Sequence, residues 1–425
     1  MLWTLRSPSA RHLQPCLARP FSFTPNSRLP RVVRGAAKEL PTAATFREQV
    51  ARSAGPKSFA QEIQPPTVRG QIIFFLVGSF AVYTLAAEQC NAETAKWARK
   101  LSESSLIWRV REPTSDELRR VKRLELGKKL QAGLQSLKDI SENWSQTMRS
   151  LAVWSYIQVF QPILDAGDGK RTCWAIGGVN TLVWAAWQVP KFRPFMSKHF
   201  THNPLSGLSY TLLTSMFSHR SFLHLLLNCM ALASFGSAAS VHLTKEQAKN
   251  PHGLQEADVT WHFLAFYMSA GLFSGLTSHV MASKLLYPRM VARLTAKAKP
   301  ADAAAATKAA EGAAEASERI LPSLGASGAI YGAVTLTALA FPHTEIALMI
   351  PPSFPIPIQW GVGGLVALDV LGAIRGWRFF DHWAHLGGAA FGVWYYNYGP
   401  DMWNAVRATH VAVQKVQHPP SPKKD

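Results

Sequence analysis

Seven apolar runs, separated by polar and mostly basic stretches, organise the chain. A helix that crosses a bilayer needs about twenty predominantly apolar residues. The runs at 72–87, 172–189, 222–241, 261–282, 324–341, 358–374 and 383–398 approach that length and contain no Lys or Arg. Buried helices of a large soluble core are the alternative, and the basic loops between the runs weigh against it. The first run stands alone and the last six follow closely on one another. Between them, at 115–137, Leu118, Val121, Leu124 and Leu134 alternate with charges, which predicts an amphipathic surface helix. The expected fold is therefore all-α and polytopic. A basic N-terminal region occupies 1–70, an extra transmembrane helix 71–88, a polar connector 89–171, a six-span bundle 172–398 and a polar tail 399–425. An alanine-rich, charged stretch at 301–319 is too polar to span and is expected to be a surface insertion.

Composition alone conceals this pattern. Mean hydropathy is zero, because basic tracts and apolar runs average out over 425 residues. Lys and Arg exceed Asp and Glu by 45 to 26, and the excess is concentrated at the start. Arg6, Arg11, Arg19, Arg28, Arg31, Arg34 and Lys38 precede the first acid, Glu39, among Ser, Pro and isolated large apolar residues. No continuous apolar segment of the secretory kind begins the chain. Spaced arginines without acids predict a mitochondrial transit segment, a basic amphipathic helix drawn by a potential negative inside. No phosphate-binding loop or finger spacing accompanies the +19 charge, so nucleic acid is not an expected partner. Cys16, Cys90, Cys173 and Cys229 lack paired spacing, which argues against a zinc module and a disulfide scaffold.

Polar side chains inside a bilayer are costly, so each is a candidate for function. They recur near the starts of bundle spans two, four and six: His224 and Asn228, Ser327 within Gly325-Ala326-Ser327-Gly328, and His385. Alternate spans start from the same face of the membrane, so parity alone brings these residues to one depth. Gly328 with Gly332, and Gly388 with Gly392, form small-xxx-small pairs that let helix backbones approach closely. Such packing would let Ser327 Oγ reach His385, an arrangement suited to Ser–His nucleophilic catalysis. The plainer reading is glycine-rich helix packing with a serine bonded to its own backbone. His224 and Asn228 share a helical face and can donate to a developing oxyanion, or simply knit helices together. Tyr331, one turn after Ser327, can press its ring against His385. No acid other than Asp381 stands at helical spacing from His385, so a dyad is expected rather than a triad. Asp369, the lone acid of span five, reads as a helix-packing or loop-facing polar group without a chemical role. Asp381, His382 and His385 lack the spacing of a zinc protease, and no metal or cofactor is expected.

These residues resemble the rhomboid intramembrane serine proteases. The likeness rests on His224-x-x-x-Asn228, on the Gly325–Gly328 box with Tyr331, and on Ala384-His385-Leu386 followed by Gly388-x-x-x-Gly392, in that order and over about 172–398. It implies Ser327 as nucleophile, His385 as general base, His224 and Asn228 as oxyanion donors, and Tyr331, Gly325 and Gly328 as supports. The extra span and the transit-like start resemble the presenilins-associated mitochondrial class. That class implies an inner-membrane enzyme cleaving single-span membrane proteins, with an inner-membrane dynamin-like GTPase and imported precursors as substrates. Retention of both Ser327 and His385 speaks against the alternative, an inactive relative that only binds transmembrane helices. A transporter would line a path with ionisable groups, whereas here they cluster at one depth. The loop Lys191-Phe192-Arg193-Pro194-Phe195 lacks the Trp-Arg pair of some members, so no role passes to it. The loops on the Ser327 side are the richer in Lys and Arg, which predicts a matrix-facing active-site mouth.

Overall fold

The computed structural model describes residues 66–104, 111–250, 253–297, 320–347, 353–377 and 379–417. The expected transit segment and the alanine-rich insertion lie outside those residues.

Nine long helices carry the architecture among the described residues: α1 Arg69–Ser104, α2 Ser115–Ile140, α3 Gln146–Asp165, α4 Asp168–Gln188, α5 Phe222–Ala248, α6 Thr260–Met281, α7 Ser327–Ala340, α8 Ile358–Arg375 and α9 His382–Gln417. The chain folds as an all-α polytopic membrane bundle. A two-residue β-hairpin, Glu345–Ile346 against Ile356–Pro357, joins α7 to α8. Among the described residues three helices are long and apolar enough to cross a membrane by length and composition: α1 over Arg69–Glu103, α5 and α8. Helix α7 is apolar but only 14 residues long, and α6 carries Ser and His on buried faces. In α6, His262, Ser269, Ser274 and His279 are buried beside Phe263, Phe266 and Tyr267.

Helix α2 forms where the alternating pattern predicts it. Thr114 and Glu117 cap it reciprocally: the Thr114 hydroxyl accepts from the Glu117 N–H, and the Glu117 carboxylate accepts from the Thr114 N–H at 2.8 Å. Helix α3 has no counterpart in the expected polar connector. Its residues carry no charge between Arg149 and Asp165, and averaging with charged α2 hides that. Helix α1 continues to Ser104, past the boundary expected at residue 88. Its extension is held by Glu93, which accepts from the Trp261 indole at 3.1 Å and pairs with Lys122 at 2.8 Å.

A buried polar latch closes the end of the bundle where α5 passes to α6. Glu256, fully buried, accepts from the Trp403 indole at 2.6 Å and from Arg407 Nη1 at 3.3 Å. Arg407 also donates to Asn91 Oδ1 at 2.9 Å and to the Gln255 carbonyl at 2.7 Å, tying α9 to α1. Burial pushes the Glu256 carboxyl up, while the Arg407 guanidinium and the Trp403 indole oppose it. At the other end a histidine ladder runs inward from the start of α1. The Thr67 carbonyl lies 3.0 Å from His279 Nε2, His279 Nδ1 lies 3.0 Å from His202 Nε2, and His202 Nδ1 lies 2.8 Å from Thr211 Oγ1. Burial, with His279 adjacent, pulls the His202 imidazole down to about 3. His202 also forms an antiparallel bridge to Ser323, with both N–H···O distances 2.9 Å.

Breaking a buried ion pair from one side typically costs about 3–5 kcal/mol, because the remaining charge is stranded. Arg407→Ala should therefore lower the thermal midpoint of the detergent-solubilised protein by several degrees. Adding Glu256→Gln should recover part of the loss; thermal scanning of the single and double variants checks both.

Candidate active site

Three helices meet at the inner end of the histidine ladder. Ser327 is the first residue of α7, and the chain reaches it through Gly325 at φ +129°. That conformation excludes most side chains, and a Cβ at Gly325 would stand 2.8 Å from His224 Cε1. The loop is pinned by Gly325 N–H donating to the Ser215 carbonyl at 3.0 Å and Ala326 N–H donating to His219 Nε2 at 3.3 Å. The first N–H groups of a helix have no carbonyl within it to bond, so α7 presents donors beside Ser327.

Helix α9 brings His385 across, and glycines set the distance. A Cβ on Gly388 would collide with the Gly328 carbonyl, and one on Gly392 would stand 2.5 Å from the Gly332 carbonyl. With hydrogen at both positions the two backbones touch, and His385 Nε2 comes to 2.8 Å from Ser327 Oγ. Tyr331 stacks flat on the His385 ring, with centroids 4.3 Å apart and planes 10° apart.

The site departs from the sequence expectation at Asp369. Its carboxylate, on α8 and nearly fully buried, lies 3.1 Å from His385 Nδ1 and 2.6 Å from His382 Nδ1. An ionised carboxylate only accepts, so His385 Nδ1 carries the hydrogen and Nε2 presents its lone pair to the Ser327 hydroxyl. Asp369 is thus not loop-facing: its carboxylate bonds the His382 and His385 rings from the preceding helix. Spacing along α9 could not reveal it, because Asp369 comes from the preceding antiparallel helix. The available signal was its status as the lone acid in its span. Asp381, the acid at helical spacing, instead starts α9: it accepts from the Ala384 N–H at 3.0 Å and from Ser278 Oγ at 2.6 Å.

His224 and Asn228 line the same side of the cleft. His224 packs against Gly325, and its ring meets His219 edge-on at 5.0 Å. Asn228 Nδ2 donates to the His224 carbonyl at 2.8 Å, which occupies one of its two N–H groups. His219, not singled out from the sequence, is fully buried and holds the loop before Ser327 through Ala326. Among the described residues no cluster of His, Cys, Asp and Glu is arranged to hold a metal ion.

Comparison with known proteins bears on the family. Residues 207–399 match the Rhomboid domain. This part of the chain is similar to the rhomboid family. It is 34% identical over 236 residues to the presenilin-associated rhomboid-like protein, mitochondrial, of Homo sapiens, covering 55% of this chain and 50% of that one. The corresponding protein A of Danio rerio is 33% identical, over 55% and 49% of the two chains. Rhomboid protein 1, mitochondrial, of Saccharomyces cerevisiae is 30% identical, over 53% and 52%. The chain thus spans about half the length of the curated relatives it matches. No solved structure matches it.

The α7–α9 seam makes a direct prediction. Overpacking of a tight contact costs about 1–3 kcal/mol, so Gly388→Ala should lower the thermal midpoint. Gly364→Ala, on α8 where an added Cβ meets nothing within 4 Å, should leave it unchanged. Parallel thermal melts of the two variants test the assignment.

Proposed function

We propose that the chain is an intramembrane serine endopeptidase that cleaves single-span membrane proteins in or beside their transmembrane segment. The observation that carries this reading is the 2.8 Å contact between Ser327 Oγ and His385 Nε2, with Nδ1 of the same ring held by Asp369. His385 Nε2 takes the hydroxyl proton as Ser327 Oγ attacks the scissile carbonyl. Asp369 fixes the tautomer and offsets the positive charge that develops on the ring. The tetrahedral oxyanion falls between the N–H of Ser327 and the His224 side chain, with the free N–H of Asn228 nearby; one such donor is typically worth about 2.7–4 kcal/mol. The imidazolium then protonates the leaving amine, and water, activated by the same nitrogen, releases the acyl group from Ser327. A protein that only bound helices would have no use for a serine paired with an oriented imidazole.

A helix hides its carbonyls in hydrogen bonds, so a substrate must unwind locally to meet Ser327. Segments with Gly, Ser or Pro near one membrane face fit that requirement. The relatives are named as mitochondrial, and the arginine-spaced start of this chain points the same way, so we place the protein in the mitochondrial inner membrane, processing membrane proteins there.

Ser327→Ala should abolish cleavage of a co-expressed single-span substrate while the protein remains inserted and folded; continued cleavage would refute the mechanism. Asp369→Asn keeps the shape but cannot hold the tautomer as a carboxylate does. It should cut the cleavage rate by about 10²-fold or more, within the range of general-base contributions, with KM little changed. Time courses of product formation on immunoblots, followed by kinetics in proteoliposomes, measure both.

A further inference from the structure

Helices α2 and α3 form an antiparallel hairpin outside the catalytic bundle. Gly127 faces Leu164, and Tyr156 donates its hydroxyl to the Leu130 carbonyl at 2.8 Å across a close approach at Gly133. The hairpin is fixed to the end of the bundle remote from Ser327. Ser115 N–H donates to Gln255 Oε1 at 2.8 Å, Lys122 pairs with Asp258, and Lys100 of α1 pairs with Glu125 at 2.7 Å. From Asp165 the chain turns at once into α4, the first span of the bundle.

Two features of this hairpin do not suit water. No residue of α3 is buried, yet it carries no charge from Ser150 to Leu164. Leu151, Trp154, Ile157 and Val159 are 41–58% exposed, in the same range as the bundle-span residues Val179 and Leu368, while Leu182 of the first bundle span is more exposed still at 73%. Exposed apolar surface of this extent, continuous with a membrane span, belongs against acyl chains. The second feature is a groove of about 630 Å³ between the helices, floored by Leu130, Tyr156 and Phe160 and rimmed by the cations Arg120, Arg123 and Lys128 against a single acid, Asp165. Lys128 pairs with Glu125 at 3.2 Å and Arg123 donates to the Asp165 carbonyl at 3.4 Å, while among the described residues Arg120 makes no ion pair. An apolar floor under a cationic rim is complementary to an acyl chain beneath an anionic headgroup.

We propose that the hairpin lies in the plane of the bilayer surface on the side opposite Ser327, with α3 sunk among acyl chains and an anionic phospholipid seated between α2 and α3. The hairpin is then a lateral anchor that fixes the rotation of α4 about the membrane normal.

Photo-crosslinking of the full-length protein tests this. p-Benzoylphenylalanine is placed at Trp154 or Ile157, with Leu182 as the lipid-facing control and Lys249 as the aqueous one. The variants are reconstituted in phosphatidylcholine vesicles containing one-fifth phosphatidylglycerol and irradiated, and adducts are identified by mass spectrometry. Phospholipid adducts at 154 and 157 matching those at 182, with phosphatidylglycerol enriched at least several-fold over its bulk share, are expected. The triple variant R120Q/R123Q/K128Q should keep the adducts and lose the enrichment. Absence of lipid adducts, as at 249, would overturn the proposal, as would a covalent dimer or a crosslink to another protein. Adducts without phosphatidylglycerol enrichment would overturn the headgroup site.

Discussion

The site depends on one approach of two backbones. Gly388 and Gly392 of α9 meet the carbonyls of Gly328 and Gly332 with only hydrogen between them, and the approach of His385 to Ser327 rests on that contact. A methyl group on either side would separate the helices by more than the slack in a 2.8 Å hydrogen bond. In a bilayer, apolar side chains gain little by leaving lipid for a protein interface, so close van der Waals packing becomes the main adhesive. The residues that bind these helices together are therefore the ones that place the serine against the histidine.

Around that seam the protein satisfies its polar groups by networks rather than by water. Asp369 receives two imidazoles and Tyr331 covers one of them, so a carboxylate persists where an isolated one would be expensive. The Glu256–Arg407 latch works on the same principle at the remote end, and recruits α1 through Asn91. The extra first helix is thus bonded to the bundle at both ends, through Arg407 and through His279. It is an integral wall rather than an appended anchor.

Much of this was legible in the chain. Parity of the apolar runs brings His224, Ser327 and His385 to one depth, and the glycine spacings predict which helices touch. Periodicity and a capping box mark α2. What escaped was information carried by contacts between helices. Asp369 lies on a different helix from the histidine it orients, and no spacing rule crosses an antiparallel turn of unknown register. His219 read as one polar residue before a span, although its ring holds Ala326. Helix α3 escaped because its lack of charge was averaged with a charged neighbour. The roles expected of His224, Asn228 and Tyr331 came from helical spacing together with resemblance; the geometry adds a stacked ring for Tyr331 and a partly engaged amide for Asn228.

The histidine ladder has a further consequence in its proton inventory. Thr211 Oγ1 lies 2.5 Å from the Leu208 carbonyl, so the ladder has four gaps and ends in a carbonyl at each extremity. Carbonyls supply no hydrogen, and one hydroxyl with two neutral imidazoles supplies three. The row is one hydrogen short of complete unless a ring is cationic, and burial keeps the added proton off His202. The vacancy can sit at any gap, and moving it reverses the direction of every donor it passes. The join between the first helix and the segment bridged to Ser323 is therefore a chain of interchangeable polarities, not a fixed bolt.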